Sequence, residues 1–357
     1  MILNFKGKKI TDIVSVVPSQ ISRFDDEIEN YSFSRAKCMK LKEIMGFDEH
    51  RIAPENITAS DLCEFAFNHL VENKGLQRES IDAMIFVTHT PDHFIPPTSS
   101  ILHGKLGLKE DSLCFDINHG CAGFIIGLQQ AFMLLEQDGI NKVALLNGDT
   151  LSRKINNKDR NSFPVVGDAG AVTIIENDNN TSDIKIFTKN RGKDAMVLKI
   201  PAGAFRMPSN KDTSKDIDVG DGNFRSLENL NMEGASVFSF VQLEVPLMVD
   251  EILKVNNLSK DDVDYYMFHQ PNKFMLEKLA DKIEVAREKM PNNIVEIYGN
   301  SNSVTIPVNI THNLGSKLLE DKKLKLCLAG FGVGLTWASM ILDMGSLNSC
   351  EIIEYEE

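Results

Sequence analysis

Three residue types that together can make and break a thioester stand at polar breaks in otherwise apolar or strand-like segments. Cys121 lies in Phe115-Asp116-Ile117-Asn118-His119-Gly120-Cys121-Ala122-Gly123-Phe124, where an apolar run meets small residues and then a helical pattern. That order predicts a thiol at a helix N-terminus, where unpaired N–H groups and the macrodipole favour thiolate over thiol. His269 follows in Phe268-His269-Gln270-Pro271-Asn272, and Asn300 in Tyr298-Gly299-Asn300-Ser301-Asn302-Ser303. Each alone has a commoner structural use: a free cysteine as a small buried hydrophobe, a strand-end histidine as a hydrogen-bonding group, a Gly-Asn-Ser run as a turn. Together they fit one reaction. A thiolate accepts an acyl group. Neutral His269, through Nε2–H, and the Asn300 amide then stabilise the enolate oxygen formed as a malonyl thioester loses CO₂. The carbanion equivalent attacks the Cys121 thioester and a carbon–carbon bond forms. The backbone N–H of Cys121 and one from 331–334, where glycines allow close approach, supply the oxyanion hole.

These residues need elements to hold them. Short apolar runs alternate with helical patterns, which favours an α/β class. Strands are expected over 83–87, 113–117, 142–147, 171–175, 265–268 and 324–329, and helices over 59–73, 123–137, 241–255 and 272–283. The first helix carries a capping signal, Thr58 and Ser60 ahead of Asp61 and Glu64. Two halves are expected, 1–176 with the cysteine and 177–357 with the histidine and asparagine. Each ends in a Gly-rich strand-turn-strand, Val165-Val166-Gly167-Asp168-Ala169-Gly170-Ala171-Val172 and Ala329-Gly330-Phe331-Gly332-Val333-Gly334-Leu335-Thr336-Trp337, which hints at an internal duplication. Segments 177–182 and 206–225 read as loops, the second long enough to cover a site. The polar stretch 345–357 reads as a surface extension without chemistry.

Composition narrows the partners. A chain of 357 residues, 42% apolar and 25% charged, can bury a large core. A formal charge of −13 and a pI near 5.2 argue against nucleic acid, and an acidic carrier protein would need a local basic patch. No stretch approaches about 18 uninterrupted apolar residues. The opening residues lack a secretory h-region, so the expectation is a cytoplasmic protein without membrane insertion. Six cysteines, at 38, 63, 114, 121, 327 and 350, show neither CxxC pairs nor metal-type spacing, which predicts free thiols and no metal site.

At this point the chain resembles the β-ketoacyl-acyl carrier protein synthase III family of the thiolase-like fold. The likeness covers nearly the whole sequence. Its motifs here include Met45-Gly46-Phe47-Asp48-Glu49-His50-Arg51-Ile52-Ala53, Thr90-Pro91-Asp92-His93-Phe94-Ile95-Pro96-Pro97, Gly148-Asp149, Met232-Glu233-Gly234 and the two Gly-rich segments above. The resemblance implies a homodimer of duplicated five-layered α/β/α/β/α subunits and Cys121 as the acyl-accepting nucleophile. It implies His269 and Asn300 as the decarboxylation pair, and Gly332, Val333, Asn272, Phe274 and His119 at the oxyanion hole or substrate site. Acyl-CoA or acyl-carrier thioesters and a malonyl-carrier would be substrates, with no cofactor. Departures from the pattern are equally specific. Lys40 stands in the region where relatives commonly carry an adenine-stacking Trp, and the one Trp of this chain is Trp337. Phe274, beside Lys273, replaces a carrier-docking Arg, and Asn118-His119-Gly120 replaces small residues before the nucleophile, which could place a second imidazole near the thiol. These changes point toward a specialised lipid, secondary-metabolite or polysaccharide pathway. An acyltransferase that moves the acyl group to oxygen or nitrogen without decarboxylation is the alternative. A cysteine hydrolase is a remote one: the order Cys, His, Asn superficially fits papain-like proteases, but the Cys-Gly-Ser-Cys-Trp surround is absent.

Overall fold

Alternation along the buried strands explains the architecture of this computed structural model, which describes residues 1–356. On strand Ala83–Val87, Ala83, Ile85 and Val87 join one apolar core, while Met84 and Phe86 join another. On strand Leu324–Gly332, Leu326 and Leu328 face that first core, and Cys327, Ala329 and Phe331 a third. Each strand therefore packs helices on both faces. Helices Gly123–Leu134 and Thr305–Leu318 fill the central layer between two sheets. Helices Ala59–Lys74 and Thr98–Lys105 cover one outer face, and Gly234–Val255 and Lys273–Ile283 the other. The result is the five-layered α/β/α/β/α arrangement. The central helix GFIIGLQQAFML is apolar nearly all round, as a helix between two sheets must be.

The first sheet runs Ser349–Tyr355, Lys8–Pro18, Ala169–Asn177, Lys142–Asp149, Ala83–Val87, Leu113–Ile117 in spatial order. Its last three strands are mutually parallel. The second runs Ile2–Phe5, Ile184–Asn190, Thr336–Met344, Leu324–Gly332, Tyr265–Phe268, with the final pair parallel. Each sheet thus draws one strand from beyond the 176/177 boundary. The expected surface tail is the strand Ser349–Tyr355, paired parallel to the long strand from Ser349 opposite Asp12 to Tyr355 opposite Pro18. Its acidic residues hid a buried Ser349 and Cys350 and the half-buried Ile352 and Ile353.

Other expectations shift at their ends. The helix expected from 241 starts at Gly234 and runs 22 residues, and the one expected to reach 137 stops at Leu134. Thr58 closes a reciprocal capping box with Asp61, whereas Ser60 donates to Asp92 instead. The 206–225 segment is not bare loop. It contains a ribbon of Ile217–Asp218 against Phe224–Arg225, pinned by the Arg225 guanidinium on the nearly buried Asp159 carboxylate at 2.6 Å. No helix among the described residues is long and apolar enough to cross a membrane.

Candidate active site

Cys121 sits between the C-terminal end of strand Leu113–Ile117 and helix Gly123–Leu134, two residues before the first helical position. It opens onto a cavity of about 1090 Å³ that His269 and Asn300 also line. The cavity collects His89, Asn118 and Thr150, which follow the parallel strands of the first sheet, and Phe331 and Gly332 from a strand end of the second, at the C-terminal ends of strands where α/β folds gather ligands. Gly332, Val333, Asn272 and Phe274 line it as well.

Glycine is required beside the thiol. Gly332 has φ +157°, and a Cβ built there would lie 2.5 Å from Cys121 Sγ. The Ala329-to-Trp337 segment is the expected strand-turn-strand, with its antiparallel register closing at Gly332 opposite Thr336. The first Gly-rich segment does something else. Val165 ends a short 3-10 turn, and strand structure resumes only at Ala169. Between them the chain clamps Asn300: its N–H donates to Val165 O at 2.7 Å, and Gly167 N–H donates to Asn300 O at 3.2 Å. A Cβ on Gly167 would fall 2.0 Å from Tyr298 O, so only glycine fits this crossing. The Asn300 side chain is oriented too. Its Oδ1 accepts from Asn302 N–H at 3.0 Å, which leaves Nδ2 as a donor.

His269 follows strand Tyr265–Phe268, its N–H held by Ala329 O at 2.8 Å and its ring edge-on to Phe331. Burial pushes its pKa down to about 3, against a smaller pull from the Asn302 backbone, so the imidazole is neutral. Nδ1 lies 2.7 Å from Thr305 Oγ1, and that hydroxyl also reaches Asn302 O at 2.8 Å. When Thr305 donates to Asn302, Nδ1 carries the ring proton and Nε2 is an acceptor. When Thr305 donates to Nδ1, the ring proton moves to Nε2, the form expected from the sequence.

The thiol departs from expectation. Burial pushes the Cys121 thiol up, opposed by the N–H groups of Val333 and of Cys121 itself, with Asp149 adding to the rise. A helix end is worth about 0.3–1 kcal/mol at an exposed site, less than one pKa unit of about 1.4 kcal/mol, whereas full burial moves a group by up to about 3–5 units. Desolvation wins, and the resting group is a thiol.

His119 does not line the cavity. It is half-buried, its Nδ1 has no hydrogen-bond partner, and burial together with His89 brings it down to about 4. The cavity instead takes Asn118 and His89. Asn272 uses its Oδ1 to cap helix Lys273–Ile283 through Met275 N–H at 2.8 Å, and Phe274 stacks on Phe238, which shares the lining. Segment 206–225 contributes nothing to the lining, whereas the neighbouring ribbon of Leu198–Lys199 with Asn231–Met232 does. Two residues escaped sequence reasoning, Thr305 and His89, while the buried Asp149 was read only as part of the Gly148-Asp149 motif, without a role. The Asp149 carboxyl, pushed up to about 7 by burial, accepts from His89 N–H at 2.8 Å. One signal for His89 existed, its position just after the apolar strand Ala83–Val87.

Residues 115–194 match the model for 3-oxoacyl-[acyl-carrier-protein] synthase III, and 253–344 match that for its C-terminal part. A Campylobacter jejuni relative, provisionally named 3-oxoacyl-[acyl-carrier-protein] synthase 3, is 33% identical over 98% of both chains. The β-ketoacyl-[acyl-carrier-protein] synthase III of Porphyra purpurea is 31% identical over 83% of this chain and 88% of its own. The crystal structure of a 3-oxoacyl-(acyl-carrier protein) synthase from Burkholderia xenovorans superimposes with a TM-score of 0.92 at 35% identity over 99% of each chain. The chain belongs to the 3-oxoacyl-[acyl-carrier-protein] synthase III family, condensing acyltransferases of the thiolase-like fold.

Proposed function

We propose that Cys121 is the acylated nucleophile and that His269 and Asn300 drive decarboxylation of a malonyl thioester. The carrying observation is the convergence of all three on one cavity, with the thiol packed against Gly332. In the first step Sγ attacks the acyl thioester, a new C–S bond replaces that to the donor, and the donor leaves as a thiol. Because Cys121 rests protonated, its proton needs an acceptor. His269 Nε2 is that acceptor in the arrangement where Nδ1 donates to Thr305. The N–H groups of Cys121 and Val333 stabilise the tetrahedral oxyanion. In the second step the malonyl carbonyl oxygen accepts from Asn300 Nδ2–H and from His269 as Nε2–H. CO₂ departs, the enolate carbon attacks the Cys121 thioester, and the Cys121 sulfur leaves as a thiolate that takes a proton from solvent to restore the resting thiol. The reaction as written uses no cofactor.

The substrates are CoA or carrier-protein thioesters, in line with the names of the relatives. We also infer a homodimer working in the cytoplasm, with two duplicated halves meeting near residue 176. Incubation with acyl-CoA and acyl-carrier donors, with and without malonyl-carrier, tests the reading when intact mass and CO₂ release are followed together. Acylation at Cys121 with malonyl-dependent CO₂ is expected. Acylation without CO₂ identifies a transferase to another acceptor, and modification elsewhere than Cys121 overturns the assignment.

A further inference from the structure

Beside the nucleophile the cavity wall is polar. Asn118, three residues before Cys121, lines the cavity together with His89, Thr90 and Asp92. Asn118 Oδ1 lies 2.6 Å from His89 Nδ1 and accepts its N–H, while the amide Nδ2–H₂ has no partner among the described residues. The imidazole that fixes Asn118 is itself wedged in place. A Cβ on Gly120 would sit 2.5 Å from His89 Nε2, and His89 N–H is tied to the buried Asp149. Asn118 is therefore a donor whose orientation is fixed, on the lining of the cavity that holds Cys121. A plain alkyl chain offers the Asn118 amide no acceptor, whereas an oxygen substituent does. Sites built to hydrogen-bond a substrate group discriminate strongly against analogues lacking it.

We propose that Asn118, held by His89, selects an acyl group bearing an oxygen substituent close to the thioester, a 3-hydroxyacyl chain in preference to an unsubstituted one. The proposal rests on the acyl-thioester reading above and names its substrate class. The oxygen accepts from Asn118 Nδ2–H, while the acyl transfer keeps its balance: the Sγ–acyl bond forms, the acyl–sulfur bond of CoA breaks, and CoA leaves with the thiol proton.

Single-turnover acylation of the full chain by butyryl-CoA and by each enantiomer of 3-hydroxybutyryl-CoA, read by intact mass, tests it. One hydroxy enantiomer is expected to react at least tenfold faster than butyryl-CoA. In Asn118→Leu, with the same branching but without the donor, that ratio is expected to fall to within twofold. Equal or faster reaction of butyryl-CoA with the natural protein, or an unchanged ratio in the variant, overturns the proposal. Should Asn118→Leu lose its thermal transition, Asn118→Asp keeps the shape and the acceptor for His89 while removing the donor. The same collapse is expected there, and retention of the ratio refutes the role of Asn118. Failure of Cys121 to acylate with any thioester is a different result, which removes the thioester reading itself.

Discussion

Replacing Gly332 by alanine tests the site at its tightest point. The added Cβ would stand 2.5 Å from Cys121 Sγ and 2.7 Å from Cys121 Cβ. Non-bonded heavy atoms rest at about 3.5–4.0 Å, so thiol and backbone must separate by roughly 1 Å or more. A misplacement of about 1 Å at a reacting atom costs on the order of 100-fold in rate, or about 2.7 kcal/mol of barrier. The backbone adds to this, because φ +157° at Gly332 suits glycine alone. The assay is single-turnover acylation of Gly332→Ala, followed by mass, beside a thermal melt. Gly192→Ala is the control, since a Cβ there meets nothing within 4 Å. Acylation by Gly332→Ala should fall about 100-fold while the control stays near the natural rate. A Gly332→Ala protein that folds and acylates within threefold of the natural chain would falsify the placement of the nucleophile against this strand end.

The acylation rate should be nearly flat between about pH 5 and 8, because His269 is neutral above about 3 and the thiol stays protonated past its usual range; a tenfold rise per pH unit across that window, in a stopped-flow series, would instead mean pre-formed thiolate without a base. His269→Ala should convert the flat profile into the rising one. Asn300→Ala should lower malonyl-dependent CO₂ release by about 10²–10³, roughly 2.7–4 kcal/mol for one lost oxyanion donor, with the acyl-enzyme still seen by mass; equal loss in both steps would contradict the assignment. Arg225→Ala should destabilise the fold by about 3–5 kcal/mol, since it removes the countercharge of the buried Asp159 carboxylate and leaves it, among the described residues, only the Asn161 N–H as a donor. Urea unfolding measures this, and acylation in the folded variant should stay at the natural rate because 206–225 is absent from the cavity lining.

Where a signal was local, it could be read. The run 83–87 carries apolar residues on consecutive positions, as a strand buried on both faces must, and 113–117 also appears with its expected bounds, although it is a half-buried edge strand with Leu113 exposed. The capping box at Thr58 is likewise decided within four residues of chain. Strand Ser349–Tyr355 was illegible because its partner begins at Asp12, so nothing within the stretch announces the pairing. The halves exchange strands for the same reason. The candidate residues Cys121, His269 and Asn300 were legible as types at chain breaks, yet their chemical state was not. A helix N-terminus can be seen in Gly120-Cys121-Ala122-Gly123, whereas the burial that outweighs it, against Gly332 among others, and the charge of Asp149 that adds to the rise come from distant parts of the chain. That reversal changes the mechanism. A pre-formed thiolate would need His269 only for decarboxylation, but a buried thiol needs an acceptor in the first step as well. The Thr305 hydroxyl, within reach of both Asn302 O and His269 Nδ1, is what allows one imidazole to present either an acceptor or a donor at Nε2.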